Sequence, residues 1–111
     1  MFGKHASTRA EKRIPMAVAV RISGHSAQPG EETTFTEDVS FRGAKVFSTR
    51  RWKSGERLLL ATLSGGFRSV ARVAWCRPDR DAGFAVGLQL AETSGNWDVA
   101  PASVASKAIA S

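Results

Sequence analysis

The sequence predicts an all-β fold, a small six-stranded antiparallel β-barrel followed by a short C-terminal helix. Three observations carry that prediction. Six short segments alternate apolar with polar residues or are rich in β-branched and aromatic side chains. Turn residues separate these segments at regular intervals, as in small barrels. Up to residue 97, no stretch shows a convincing amphipathic helical period.

The elements follow in order. Ile14-Pro15 closes a loose opening segment, because proline biases the residue before it towards extended geometry and cannot donate to a sheet. From Ala17 the chain alternates, with Val18, Val20 and Ile22 on one face and Ala17, Ala19 and Arg21 on the other. Gly24, Pro29 and Gly30 mark a loop. Thr33 to Ser40 reads as the second strand and Gly43 to Ser48 as the third. The loop from Thr49 to Gly55 carries Arg50, Arg51, Trp52 and Lys53. It reads either as a hairpin tip with Trp52 folded against the barrel or as a docking surface.

Glu56 to Leu63 is the fourth strand, and Ser64-Gly65-Gly66 is a tight turn into the fifth, Phe67 to Cys76. There Phe67, Ala71, Val73 and Trp75 share the face expected to be core, opposite Arg68, Arg72 and Cys76. Pro78 to Gly83 is a charged loop. In the last strand Phe84, Val86, Leu88 and Leu90 share a face, and Gly87 marks a bulge, a tight bend or a close approach. Trp97 can anchor the end of the barrel. After it the chain turns rich in Ala and Ser, with Pro101 delaying any helix to about Ala102. The expected organisation is a flexible N-terminus at 1–8, a barrel with an N-terminal arginine arm at 9–97, and a tail or short helix at 98–111.

With 111 residues the chain is expected to be one domain with one modest core. A formal charge of +6 favours an anionic partner. Cys76 is the single cysteine, so no intrachain disulfide can form and a reducing, cytoplasmic setting is expected. The N-terminus lacks the apolar core of a secretory signal, and no apolar run reaches the length of a membrane span. Membrane insertion is therefore not expected. His5 and His25 lie far in sequence from Cys76, which supports neither a metal site nor a Cys-His pair. Glu37 and Asp38, as neighbours on a strand, are expected to face opposite ways. The expectation is a protein that is not an enzyme and carries no cofactor.

Binding chemistry gathers in two places. In Glu37-Asp38-Val39-Ser40-Phe41-Arg42-Gly43, alternation points Asp38 and Ser40 one way and Val39 into the core. Gly43 then lets the backbone turn with positive φ, or lets a ligand approach the main chain. Upstream, Arg9 and Arg13 stand four apart. Guanidinium groups bind phosphate bidentately, stack on flat rings and pair with the O6/N7 edge of guanine, whose opposite edge suits a carboxylate. Together the two clusters suit a guanine nucleotide with phosphates.

This combination resembles the PilZ domain, a bacterial receptor module for cyclic di-GMP. Its signature is Arg-x-x-x-Arg followed by Asp/Asn-x-Ser-x-x-Gly, and both halves are complete here, as Arg9/Arg13 and Asp38/Ser40/Gly43. Gly43-Ala44-Lys45-Val46, Ser54-Gly55-Glu56-Arg57-Leu58, Val73-Ala74-Trp75 and Ala85-Val86-Gly87-Leu88-Gln89-Leu90 extend the likeness, which covers roughly Arg9 to Glu92. The resemblance implies a six-stranded barrel in which Arg9 and Arg13 grip the phosphates and stack on or pair with guanine. Asp38 and Ser40 would hold the base, and Gly43 would give the room. It further implies a ligand-ordered arginine arm and regulation of a protein partner in trans. Two other readings stand beside it. One is a PilZ-like interaction module that does not bind nucleotide. The other is a basic barrel for single-stranded nucleic acid, supported by the charge, Arg50, Arg51 and Trp52. That second reading is disfavoured because Phe35, Phe67, Trp75 and Phe84 fall on inferred core faces.

Overall fold

In the computed structural model, which describes residues 12–97, the alternating segments form seven strands. They are β1 (Ile14–Pro15), β2 (Ala19–Ser23), β3 (Glu31–Val39), β4 (Gly43–Ser48), β5 (Arg57–Thr62), β6 (Phe67–Pro78) and β7 (Phe84–Gly95). A tight turn at Arg80–Ala82, with Asp81 and Ala82 in the left-handed region (φ 56° and 59°), lies between β6 and β7. The flexible start expected at 1–8, Arg9 and the C-terminal helix expected near Ala102 lie outside the described residues. All pairings are antiparallel, and β3, β2, β5, β6, β7 and β4 close into a barrel through the β3–β4 pairing. The six-stranded barrel read from the sequence is the architecture observed, with β1 added beside β3.

The first strand differs from expectation. Instead of one strand from Ala17, β1 and β2 lie end to end along β3, interrupted at residues 16–18. Thr36, fully buried, closes the gap with its hydroxyl, which donates to Met16 O at 2.7 Å and accepts from the Val18 N–H at 2.9 Å. A buried polar group is thereby satisfied, and the backbone N–H groups of Met16 and Val18 keep partners across the interruption, Met16 N–H donating to Glu37 O at 3.2 Å.

Inside the barrel Val20, Ile22, Val39, Val46, Leu58, Leu60, Val73 and Val86 are almost completely buried. Burial of a side chain of this size stabilises by roughly 1.5–3 kcal/mol relative to exposure. Trp52 closes one end. Its ring is buried, its Nε1–H donates to Ser48 Oγ at 3.2 Å, and its backbone N–H donates to Cys76 Sγ at 3.4 Å. His25 meets it edge-on at 4.6 Å. The His25 Nδ1 accepts from the backbone N–H groups of Ala27 and Gln28, so Nε2 carries the proton donated to Arg51 O. The basic loop is thus a hairpin tip with its tryptophan folded in. At the opposite end Trp97 stacks on Phe67 at 4.3 Å and donates to Ser40 O at 3.3 Å, anchoring the chain as expected.

Three register shifts interrupt the ladders: one lies between Arg68 and Val70, where β7 carries the extra residue, and the other two change which side chains of β3 and β6 face out. In β3 the register shifts between Thr36 and Asp38, and in β6 between Val73 and Trp75. Each bulge puts two successive residues on the outer surface and reverses the phase beyond it. Glu37 and Asp38 therefore lie on the same side of the barrel wall, each with its own cation: Lys45 at 3.2 Å from Glu37, and Arg13 beside Asp38. The expectation that they face opposite ways is corrected. Trp75, expected in the core, lies outside, against Gly87, with the Arg77 guanidinium over its ring at 4.4 Å. Cys76, expected outside, packs against the core cluster.

Phe35 also departs from its expected core position and is 48% exposed. Thr34 and Thr36 take the inner positions of β3, their hydroxyls donating to Phe47 O at 2.6 Å and Met16 O. Strand pairing, with these hydroxyls satisfied, outweighs the greater hydrophobicity of phenylalanine in choosing the buried face. Phe35 instead stacks on Phe47 across the outer surface at 6.1 Å.

Candidate ligand-binding site

The site is assembled by strand register. Ile14 pairs with Val39 and Pro15 with Asp38, so the residue just ahead of β1 arrives beside the end of β3. That residue is Arg13, and its Nη1 donates to Asp38 Oδ1 in an ion pair. The two motif halves are thus joined by a two-residue strand. Asp38 reaches the surface because of the β3 bulge: Thr34 and Thr36 are buried, and unbroken alternation would have turned Asp38 inward as well.

Ser40 is placed differently from Asp38. It is 6% exposed, and its Oγ donates to Gly43 O at 3.3 Å while its backbone N–H donates to the same carbonyl at 2.8 Å. The hydroxyl is engaged in closing the tight turn Phe41–Arg42, which leaves Phe41 80% exposed at the apex. Gly43 keeps an ordinary φ, so the positive-φ turn is not its role. Space is what it provides. A Cβ there would lie 3.2 Å from Leu88 O, 3.3 Å from Ser40 Oγ and 3.7 Å from Arg13 Nη2. The structure therefore brings together Arg13, Asp38, Ser40 and Gly43 around one gap, while Arg9 lies outside the described residues.

Two further side chains belong to this surface by register. Gly87 lies between Lys45 on one side and Trp75 on the other, and Asp38 pairs with Lys45. A cation and an indole therefore continue outward from the motif. Trp75 was hidden in the sequence by its place in an apparently regular alternation; the signal that could have found it was Gly87, where a Cβ would meet the indole at 2.2 Å. Among the described residues, no group of three or more His, Cys, Asp or Glu is arranged to hold a metal, and no helix is long and apolar enough to cross a membrane.

A known fold and a known family model match the chain. None of the curated proteins matches the chain in sequence. In structure the chain is similar to the Bacillus subtilis inhibitor of motility (MotI/DgrA), with a TM-score of 0.62 at 20% identity over 76% of this chain. The match spans 43% of that protein, so the chain corresponds to less than half of it, and the likeness is one of fold. The sequence model of the PilZ domain matches residues 7–96, which contain both arginines and the whole Asp38-x-Ser40-x-x-Gly43 turn. With the barrel, the register that joins the two motif halves and this match together, the chain belongs to the PilZ domain family.

Proposed function

We propose that the protein is a cyclic di-GMP receptor that regulates a protein partner in trans. The observation that carries this reading is the convergence of Arg13 and Asp38 on the outer surface, directly beside the buried Ser40 and Gly43. Arg13 offers its guanidinium to phosphate or to the Hoogsteen edge of guanine. Asp38 accepts from the opposite edge of the base. Ser40 shapes the turn that holds Asp38 in place and offers its hydroxyl once the base approaches. Gly43 keeps the approach open. Arg9, in the arm ahead of β1, supplies the second guanidinium.

In this reading the ligand exchanges partners with the protein. Arg13 and Asp38 satisfy each other without nucleotide, and binding redirects both to guanine and phosphate. Closure of the arm over the nucleotide then changes the surface that a partner meets. Phe41, and Phe35 stacked on Phe47, expose apolar surface near the site, and contact with a protein would cover it. The likeness in fold to an inhibitor of motility makes a motility component one class of partner to test. Phe35 and Trp75 no longer argue against nucleic acid from inside the core. Yet the Trp75 ring is covered by Gly87 below and Arg77 above, so it offers no free stacking face for a strand of bases.

Calorimetric titration with cyclic di-GMP, against GTP and a short single-stranded oligonucleotide at the same salt, tests the reading. Micromolar or tighter binding of cyclic di-GMP alone supports it. Folded protein that binds none of it refutes the receptor role.

A further inference from the structure

Beyond the motif, the outer surface carries a row of side chains that neither half of the signature includes. Gly43 pairs with Gln89, Gln89 with Arg72, and Arg72 with Arg57. At about 4.8 Å per strand the row runs roughly 14 Å across the barrel from the motif glycine. Gln89, Arg72 and Arg57 are all exposed. A groove of about 340 Å³ follows the start of this row, lined by Arg42, Arg72, Gln89, Leu90 and Ala91.

Arg57 and Arg72 stand directly opposite each other on paired strands, an arrangement of like charges that destabilises a sheet. Among the described residues, neither guanidinium has a hydrogen bond or ion pair of its own, and the Gln89 amide has no partner either. An anion seated between these groups would relieve the repulsion and use the unpaired donors. The groove opens beside Gly43, where the motif would hold one end of a nucleotide carrying two phosphates.

We propose that Arg72, assisted by Gln89, forms a phosphodiester-binding subsite that takes the phosphate of the ligand distal to the motif. The inference rests on the receptor reading given above, and it extends that site along β7 onto β6. Arg72 would donate bidentately to the phosphate oxygens, and the Gln89 amide would donate from the neighbouring strand. Arg57 contributes field from the far side.

The test combines two measurements on wild type, Arg72→Gln and Arg13→Ala at one salt concentration: calorimetric titration with cyclic di-GMP, and thermal melting with and without inorganic pyrophosphate. Arg72→Gln is expected to bind cyclic di-GMP about tenfold more weakly, the loss of one charge-assisted interaction. Without ligand it should melt no lower than wild type, because the cross-strand repulsion is gone, and the rise in melting temperature with pyrophosphate should disappear. If Arg72→Gln binds cyclic di-GMP like wild type while Arg13→Ala does not, the subsite is wrong and the receptor reading stands. Should wild type bind no cyclic di-GMP, the receptor reading fails and the pyrophosphate melts decide the anion site alone. A rise that needs Arg72 keeps it; an equal rise in both proteins, or none, removes it.

Discussion

The wall formed by β2, β5 and the first half of β6 pairs without a register shift along β2–β5 and β5–β6, whereas β3 and the second half of β6 each carry an extra residue. In the regular wall every second residue is outside, and Leu58, Leu60, Val20 and Ile22 are inside. On the bulged face two neighbours emerge together, Glu37 with Asp38 and Ala74 with Trp75. A regular strand cannot place consecutive side chains on one surface. Each bulge gives up a ladder position to concentrate polar and aromatic groups where the motif lies. One region makes the barrel stable, and the other uses that stability to hold irregular backbone in place.

That contrast predicts effects of different size and kind. Leu60→Ala, in the regular wall, should cost about 2–5 kcal/mol and lower the melting temperature by roughly 10 °C or more, with ligand affinity of the folded protein unchanged. Equal loss of affinity in the folded state would show that the two regions are not separable. Gly87→Ala, on the bulged face, forces a methyl group into the Trp75 ring. It should destabilise by about 1–3 kcal/mol and shift the tryptophan emission, and adding Trp75→Ala should recover most of the stability. A double-mutant cycle in denaturant shows whether the two changes are coupled.

Arg13→Ala and Asp38→Ala should do the reverse of Leu60→Ala. The ion pair between them lies at the surface, with the Arg13 side chain 53% and the Asp38 side chain 21% exposed, so removing either partner should change stability by only about 1 kcal/mol. Affinity for cyclic di-GMP should fall at least about tenfold, measured by calorimetry. A variant that unfolds, or one that binds like wild type, would contradict the division of labour.

The smallest expected effect is an acid-side one away from the site. The backbone N–H of Lys53 donates to the Glu56 carboxylate at 2.7 Å and is the main reason its pKa is lowered; the Ser26 hydroxyl at 2.8 Å adds to this against a modest burial penalty. A depressed folded-state pKa gives stability that is complete above the ordinary value of 4.5 and is lost as pH falls below it. Glu56→Gln should therefore flatten the dependence of melting temperature on pH in that range. An unchanged slope would mean that the contact persists after protonation.

How much of this was legible beforehand follows the same division. The barrel and its six wall strands could be read because alternation, Gly-containing turns and β-branched residues agree there, although the break between β1 and β2 was not foreseen. Arg13, Asp38 and Gly43 could be singled out because a spaced motif survives any local change of phase. The side on which Trp75, Cys76, Glu37 and Phe35 lie could not be read. A bulge has no signature in residue type at Glu37 or Ala74, and one extra residue inverts every inference beyond it. Phe35 failed for another reason, since Thr34 and Thr36 are buried by virtue of hydrogen bonds that depend on Met16 and Phe47, distant in sequence. Arg72 was read as an outward residue, but its confrontation with Arg57 needed the β5–β6 register to appear.

Closure of the barrel limits how the protein can be approached. The β3–β4 pairing uses the ladder groups that an open sheet would leave at its edges, and the strand added beside β3 is two residues long and ends in Pro15, which has no N–H to donate. Recruitment by strand addition, with another chain extending the sheet, is therefore blocked along the wall. Whatever associates with this domain must read its side chains and loops, and a ligand that rearranges a few of them changes the whole of what there is to recognise.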